Sequence, residues 1–157
     1  MSSVKDATNE LYAGLSDGVR QELAAREQTE TFPRGARLLQ CGIPADRLII
    51  LNSGSAEISV SIAGKIRSLG VEGPGKVFAL DSIISGAALH TSVTCVEECS
   101  VTLMPKEGFL EVLRRNPQMY FAVAKVLSSD LAAADRIIRN YARRSTAKSL
   151  AKCFRPA

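Results

Sequence analysis

The chain holds one histidine, His90, and four cysteines, Cys41, Cys95, Cys99 and Cys153, with no CxxC pair among them. Metal sites made from these residue types need them grouped at short, fixed spacings, and no such grouping exists here. One histidine in a turn does not assemble with a serine or cysteine and a carboxylate into a nucleophilic triad. Nor do two carboxylates fall at a spacing useful for acid–base work. The residue types therefore argue against an enzyme and against a metal or haem cofactor. Cys95 and Cys99 flank Glu97-Glu98, where small thiols fill strand faces, so burial rather than redox sensing is their expected role.

The stretch able to hold a ligand is Gly73-Pro74-Gly75-Lys76-Val77-Phe78-Ala79-Leu80-Asp81-Ser82-Ile83-Ile84-Ser85-Gly86. Two glycines around a proline make a sharp turn, because glycine reaches positive φ and proline fixes φ near −65°. An apolar run follows, with Asp81-Ser82 set inside it like the cap of one short helical turn. A strand, a turn and a helix start gather backbone N–H groups at one spot, which suits an anion or a closed pocket. The wall Val77, Phe78, Leu80, Ile83, Ile84 and Leu89 reads as core, and anything bound against it is expected to be less polar than a nucleotide.

The elements that must position this stretch are mostly strands. Residues 7–27 read as helix, with Leu11, Leu15, Val19 and Leu23 at i, i+4 spacing and Ser16-Asp17 as an internal cap. From Thr31 to Met104 the period changes to two. Leu38-Leu39, Leu48–Leu51, the alternation Ala56, Ile58, Val60, Ile62, and Ile66–Leu69 are separated by turn residues. Val93–Cys95 and Ser100–Leu103 read as a further pair around residues 96–99. Short strands at this spacing indicate a sandwich or jelly roll. A short helix from Pro105 to Asn116 and a long one from about Gln118 to Arg144 complete the chain.

In the long helix Ala124, Leu127, Leu131, Ala134, Ile138 and Tyr141 step by three and four, the seam of a two-stranded coiled coil. The alternative, packing of that seam on the chain's own roll, leaves several helical turns overhanging a compact domain. Charge is uneven along the chain. All 16 acids lie at or before Asp135 together with 13 of the 20 bases, while Arg136, Arg139, Arg143, Arg144, Lys148, Lys152 and Arg155 form a basic end. Such asymmetry serves a nucleic-acid-facing end or complements the helix dipole. No apolar run is long enough to span a bilayer, and Met1-Ser2-Ser3-Val4-Lys5 opens no signal peptide, so a cytoplasmic protein with no membrane partner is expected.

The turn motifs carry a resemblance. Phe32-Pro33-Arg34-Gly35, Gly42-Ile43-Pro44-Ala45-Asp46-Arg47-Leu48, Ser53-Gly54-Ser55-Ala56-Glu57-Ile58 and Gly75-Lys76-Val77-Phe78 follow one pattern in order. The pattern resembles the cyclic-nucleotide-binding-like sensor domain of the Crp/Fnr superfamily of bacterial transcription regulators. The resemblance implies an eight-stranded β-roll (a jelly roll, or double-stranded β-helix) with flanking N-terminal helices and a long C-terminal helix that is the dimer axis. It divides the chain into a roll over residues 1–116, a dimerisation helix over 117–145, and a basic hinge over 146–157 that looks like the start of a winged helix-turn-helix. DNA binding would then need a reader beyond this sequence.

Departures from the family pattern decide the expected ligand. Members that bind cyclic AMP carry Phe-Gly-Glu and, further on, Arg-x-Ala, whose acid and arginine hold the ribose and the cyclic phosphate. Here the first triplet is Phe78-Ala79-Leu80 and the second is Leu89-His90-Thr91. A buried phosphate without its cation loses a charge-assisted pair worth about 1.5–3 kcal/mol. The candidate site is therefore a degenerate pocket of Phe78, Ala79, Leu80, Asp81, Ser82, Leu89, His90 and Thr91, with no cyclic nucleotide and no other identified cofactor. Asp81 and His90 stand one residue from the lost acid and arginine, but a one-residue slip turns a side chain to the other face. Two functions remain open: the ligand-sensing and dimerisation domain of a Crp/Fnr-type regulator, or a stand-alone protein-interaction module on the same fold.

Overall fold

The structure is a computed structural model and describes residues 9–153. A 3-10 turn at Tyr12–Gly14 precedes helix α1 (Asp17–Ala24), whose cap Ser16 accepts a hydrogen bond from the Val19 N–H at 3.4 Å. The helix expected over residues 7–27 is thus much shorter in its described part. Leu15 is extended at φ −98°, ψ 151°, so the apolar spacing persists across a chain that is not continuously helical. Leu11, Leu15, Val19 and Leu23 are nonetheless all buried.

Eight strands follow: β1 (Gln28–Phe32), β2 (Arg37–Leu39), β3 (Arg47–Ser53), β4 (Ala56–Ile62), β5 (Lys65–Glu72), β6 (Val77–Phe78), β7 (Ser92–Cys95) and β8 (Cys99–Pro105). Helix α2 (Leu80–Ser85) interrupts the strands between β6 and β7. The strands form two antiparallel four-stranded sheets, in the orders β1-β8-β3-β6 and β2-β7-β4-β5. This is the expected mainly-β jelly roll. Residues on both faces of the first sheet are buried, with Ile49, Leu51 and Val101 on one face and Leu48 and Met104 on the other, and Val93 is buried in the second sheet. β1 begins at Gln28, three residues before the expected change of period, and pairs with β8 from Gln28↔Leu103 onward.

One expected pairing is wrong. β7 and β8 do not pair with each other: β7 joins β2 and β4, while β8 joins β1 and β3. The short link between them crosses from one sheet to the other, and Cys95 and Cys99 are buried on its two sides. The turn between β3 and β4 closes this corner. Val96 N–H donates to Ser55 O at 3.0 Å, Ser55 Oγ bonds Glu97 Oε2 at 3.1 Å, and the Cys99 thiol donates to Ser55 O at 3.2 Å.

Helix α3 (Lys106–Arg115) packs on α1, where Asn116 Nδ2 reaches Glu22 Oε2 at 3.1 Å. Helix α4 (Met119–Cys153) runs without a break past the end expected near Arg144. By packing, the described chain divides after Val126 into two units. The first turns of α4 belong to the first unit and bury Met119, Ala122, Val123 and Val126. No helix among the described residues is long and apolar enough to cross a membrane.

Gly54 tests the corner. It sits at φ +88°, and a Cβ there would collide with Glu98 O and lie 2.9 Å from Cys99 Sγ. Gly42 has a similar φ of +89° but open space around it. Gly42→Ala is expected to lose about 1–2 kcal/mol from backbone strain alone. Gly54→Ala is expected to lose roughly 3 kcal/mol or more, because strain and overpacking add. Urea denaturation of both variants checks this, and equal losses would show that the close approach does not matter.

Candidate functional site

The site segment starts at the Gly73–Gly75 turn. Gly75 has φ +95°, and its N–H donates to Leu51 O at 2.8 Å while Leu51 N–H donates to Lys76 O at 2.9 Å. These bonds lead into β6, which pairs Ile50 with Val77 and Ile49 with Phe78. Glu10 clamps the same turn from the N-terminal side. Its N–H donates to Gly75 O at 3.2 Å, and its Oε1 accepts from the Val77 N–H at 3.0 Å and lies 3.9 Å from Lys76 Nζ.

The short helix is real, but its cap is not the expected one. Ala79 is the N-cap, in the left-handed region at φ +76°, ψ 3°, and no side chain caps α2. Asp81 instead stands exposed in the first turn. Ser82 points inward and is 2% exposed. Its hydroxyl accepts from the Ala45 N–H at 3.0 Å and donates to Ala87 O, tying α2 to the β2–β3 loop and to the segment that leaves the helix. That segment is also paired to the same loop through its backbone. Gly42 N–H donates to Leu89 O at 2.8 Å, Leu89 N–H donates to Ile43 O at 3.1 Å, and Pro44 bridges Ala88.

Of the eight candidate pocket residues, Phe78, Ala79, Leu80, Ser82 and Leu89 are buried, Thr91 is half-buried, and Asp81 and His90 are exposed. Leu80 and Leu89 are 1% and 7% exposed, so both are packed as core. Ile84, read with the apolar wall, is 41% exposed and belongs to the surface of α2. His90 contributes its carbonyl, which accepts from the Cys41 thiol at 3.3 Å. Among the described residues no buried side-chain nitrogen or oxygen lacks a hydrogen-bond partner, and no three His, Cys, Asp or Glu residues gather as a metal site would. The chemistry left is that of an apolar wall with one buried hydroxyl, already engaged on both sides.

Burial, with the Cys99 hydrogen bond and charge adding to it, pushes the Cys95 thiol up to about 11. At neutral pH Cys95 therefore keeps its proton and is a poor nucleophile.

Two contacts escaped the sequence. Ser82 had one signal, a lone small polar residue within an apolar helical run, and Glu10 had none, since its partner lies 67 positions away.

The pattern of the cyclic nucleotide-binding domain family matches residues 29–116. Among curated proteins, the chain is 26% identical over 126 residues to the cyclic AMP receptor protein of Thermus thermophilus, covering 80% of this chain and 58% of that protein. It is 25% identical over 122 residues to the CRP-like cAMP-activated global transcriptional regulator of Mycobacterium tuberculosis, covering 77% of this chain and 54% of that protein. The chain thus spans little more than half the length of these relatives. Among solved structures, the catabolite activator protein of Thermus thermophilus has the same fold, with a TM-score of 0.74 and 23% identity over 85% of this chain and 63% of that one.

Ala79 and Ser82 should respond in opposite directions. Ala79→Gly relieves a left-handed backbone that costs a residue with a Cβ about 1–2 kcal/mol, and is expected to raise stability by up to that amount. Ser82→Ala strands the buried Ala45 N–H and removes the tie to the Ala87 carbonyl, and is expected to lower it by about 1–3 kcal/mol. Thermal melts of the two variants measure both, and two changes of the same sign would refute this account of the helix start.

Proposed function

The chain belongs to the cyclic nucleotide-binding domain family, and we propose that it is the sensing and dimerising domain of a Crp/Fnr-type transcription regulator whose nucleotide site has lost its polar contacts. The observation that carries the reading is the burial of Leu80 and Leu89 at 1% and 7% exposure. In the resembled family these two positions hold the ribose-binding acid and the phosphate-binding arginine. Two leucines packed as core offer a cyclic phosphate neither a counter-charge nor a replacement for its lost hydration. Ser82 and the backbone pairing of Leu89 hold the segment without a ligand. A role in transcription and a cytoplasmic location go with this reading, and no catalytic role does.

Dimerisation is assigned to α4. Leu131 and Ile138 are 72% and 66% exposed, Ala124 and Ala134 are exposed, and Leu127 is half-buried, all at the three-and-four spacing of a coiled-coil seam. Tyr141 continues the spacing on the same helix, but its side chain lies outside the described part, as do those from Ser145 on. Exposed large apolar residues in a regular stripe favour a helical partner over solvent. The family's own arrangement, in which this helix is the dimer axis, supplies a second copy as that partner.

Two measurements test the two halves of the reading. Calorimetric titration with cyclic AMP or cyclic GMP is expected to give no heat of binding, and neither nucleotide should raise the melting temperature. A micromolar dissociation constant would overturn the degenerate site. The unmodified chain is expected to be at least dimeric by light scattering, and Leu131→Asp to lower its mass by removing the helix contact, because two carboxylates at the seam cost on the order of several kcal/mol. An assembly whose mass is the same with and without Leu131→Asp would remove the helix from the interface.

A further inference from the structure

β5 forms one edge of its sheet: β4 pairs with one side of it, and no described strand pairs with the other. It is eight residues long, and six of them are exposed. Ile66 and Val71 are 74% and 57% exposed. An edge strand of this length with apolar side chains in the open is a template for another strand.

The hairpin fixes which β5 residues share a face. Ala63 and Gly64, at φ +53° and +78°, close a two-residue turn that sets Ile62 opposite Lys65. Further along, Ser61 stands opposite Ile66, Glu57 opposite Val71 and Ala56 opposite Glu72, with a register shift between Ile58 and Ser59. Alternate residues of β4 share a face, so Ser61 and Glu57 lie on one side and Ile62 and Ala56 on the other. The extra residue in β5 therefore brings Ile66 and Val71 to one face and Lys65 and Glu72 to the opposite face. In a regular strand each of these pairs, separated by an odd number of positions, would be split between faces.

We propose that β5 pairs antiparallel with β5 of a second copy, about a two-fold axis between Ser68 and Leu69. In that register Lys65 stands opposite Glu72 of the partner subunit, and Ile66 stands opposite Val71 of the partner subunit. The symmetry makes each pairing twice. A slip of one residue sets side chains on mismatched faces, and a slip of two separates Ile66 from Val71. Opposite charges and apolar pairs directly across a ladder are the stabilising kind. The occupant of the edge is therefore a second copy of this chain. The pairing is independent of the α4 seam and of what the pocket binds.

Sedimentation velocity across a concentration series tests it, on the full chain and on Leu131→Asp, which removes the helix seam. The unmodified chain is expected to associate beyond the dimer, and Leu131→Asp to retain a dimer. Lys65→Glu and Glu72→Lys each place like charges opposite one another twice, and each should weaken this association by roughly tenfold. The double swap Lys65→Glu with Glu72→Lys should restore it, which no effect confined to one subunit would do, since the two residues face different positions of β4. A Leu131→Asp chain that is monomeric throughout, beside an unmodified chain that stops at the dimer, overturns the proposal. So does an association that the single swaps leave unchanged. Loss of the helix dimer alone bears on α4 and not on β5.

Discussion

The site depends on one hydroxyl. Ser82 accepts from Ala45 N–H and donates to Ala87 O, and in doing so joins three separate pieces of chain: α2, the β2–β3 loop and the strand-like segment that follows the helix. Ser82 and Ala45 are buried at that point, so a polar group of theirs left unpaired would bear a desolvation cost. The wall beside this bond is apolar and packed. Leu80 and Leu89 are buried there with side chains that need no hydrogen-bond partner.

The backbone around Ser82 carries a cost consistent with this view. Ala79 holds a left-handed conformation at φ +76° that a glycine would adopt freely. Strain of this kind persists only where the surroundings over-determine it. Here β6 fixes the entry through Ile49↔Phe78, and Ser82 fixes the exit three residues later. Glu10 reinforces the entry by holding Val77 and Gly75 from the far end of the sequence. The helix start is thus set by the sheets around it and not by a capping side chain of its own.

Much of the fold could be read from local pattern. The alternation Ala56, Ile58, Val60, Ile62 is β4, and the turn glycines Gly35, Gly42, Gly54 and Gly75 all adopt positive φ. The limits of α3 and the start of α4 also follow from their punctuating prolines and apolar spacing. What local pattern missed depends on contacts distant in sequence. β7 and β8 look like a hairpin because only three residues separate them, yet each is claimed by strands from elsewhere in the chain. Ser82 and Asp81 are equally good cap residues by type, and burial alone decided that one faces inward while the other stays in water. The register shift in β5 has one mark, Gly70 at φ +143° beside the extra residue, since a glycine within a strand can signal a bulge, but it changes no period that a short window can detect.

That shift bears on assembly. A helix seam and a self-complementary edge are each isologous, meaning that each is satisfied by one two-fold axis. A chain carrying a single such surface stops at a dimer. With two, the outcome is set by the axes: coincident axes still give a dimer, axes that intersect at right angles close a tetramer, those that cross at a smaller whole fraction of a half-turn close a larger ring, and axes that do not intersect give an open array. The charges on β5 bear on this choice. Lys65 and Glu72 admit a partner strand in one register and direction only, whereas an edge of Ile and Val alone would accept almost any extended segment. An edge restricted in this way is suited to a defined oligomer, and the same charges that attract the correct copy oppose indiscriminate aggregation.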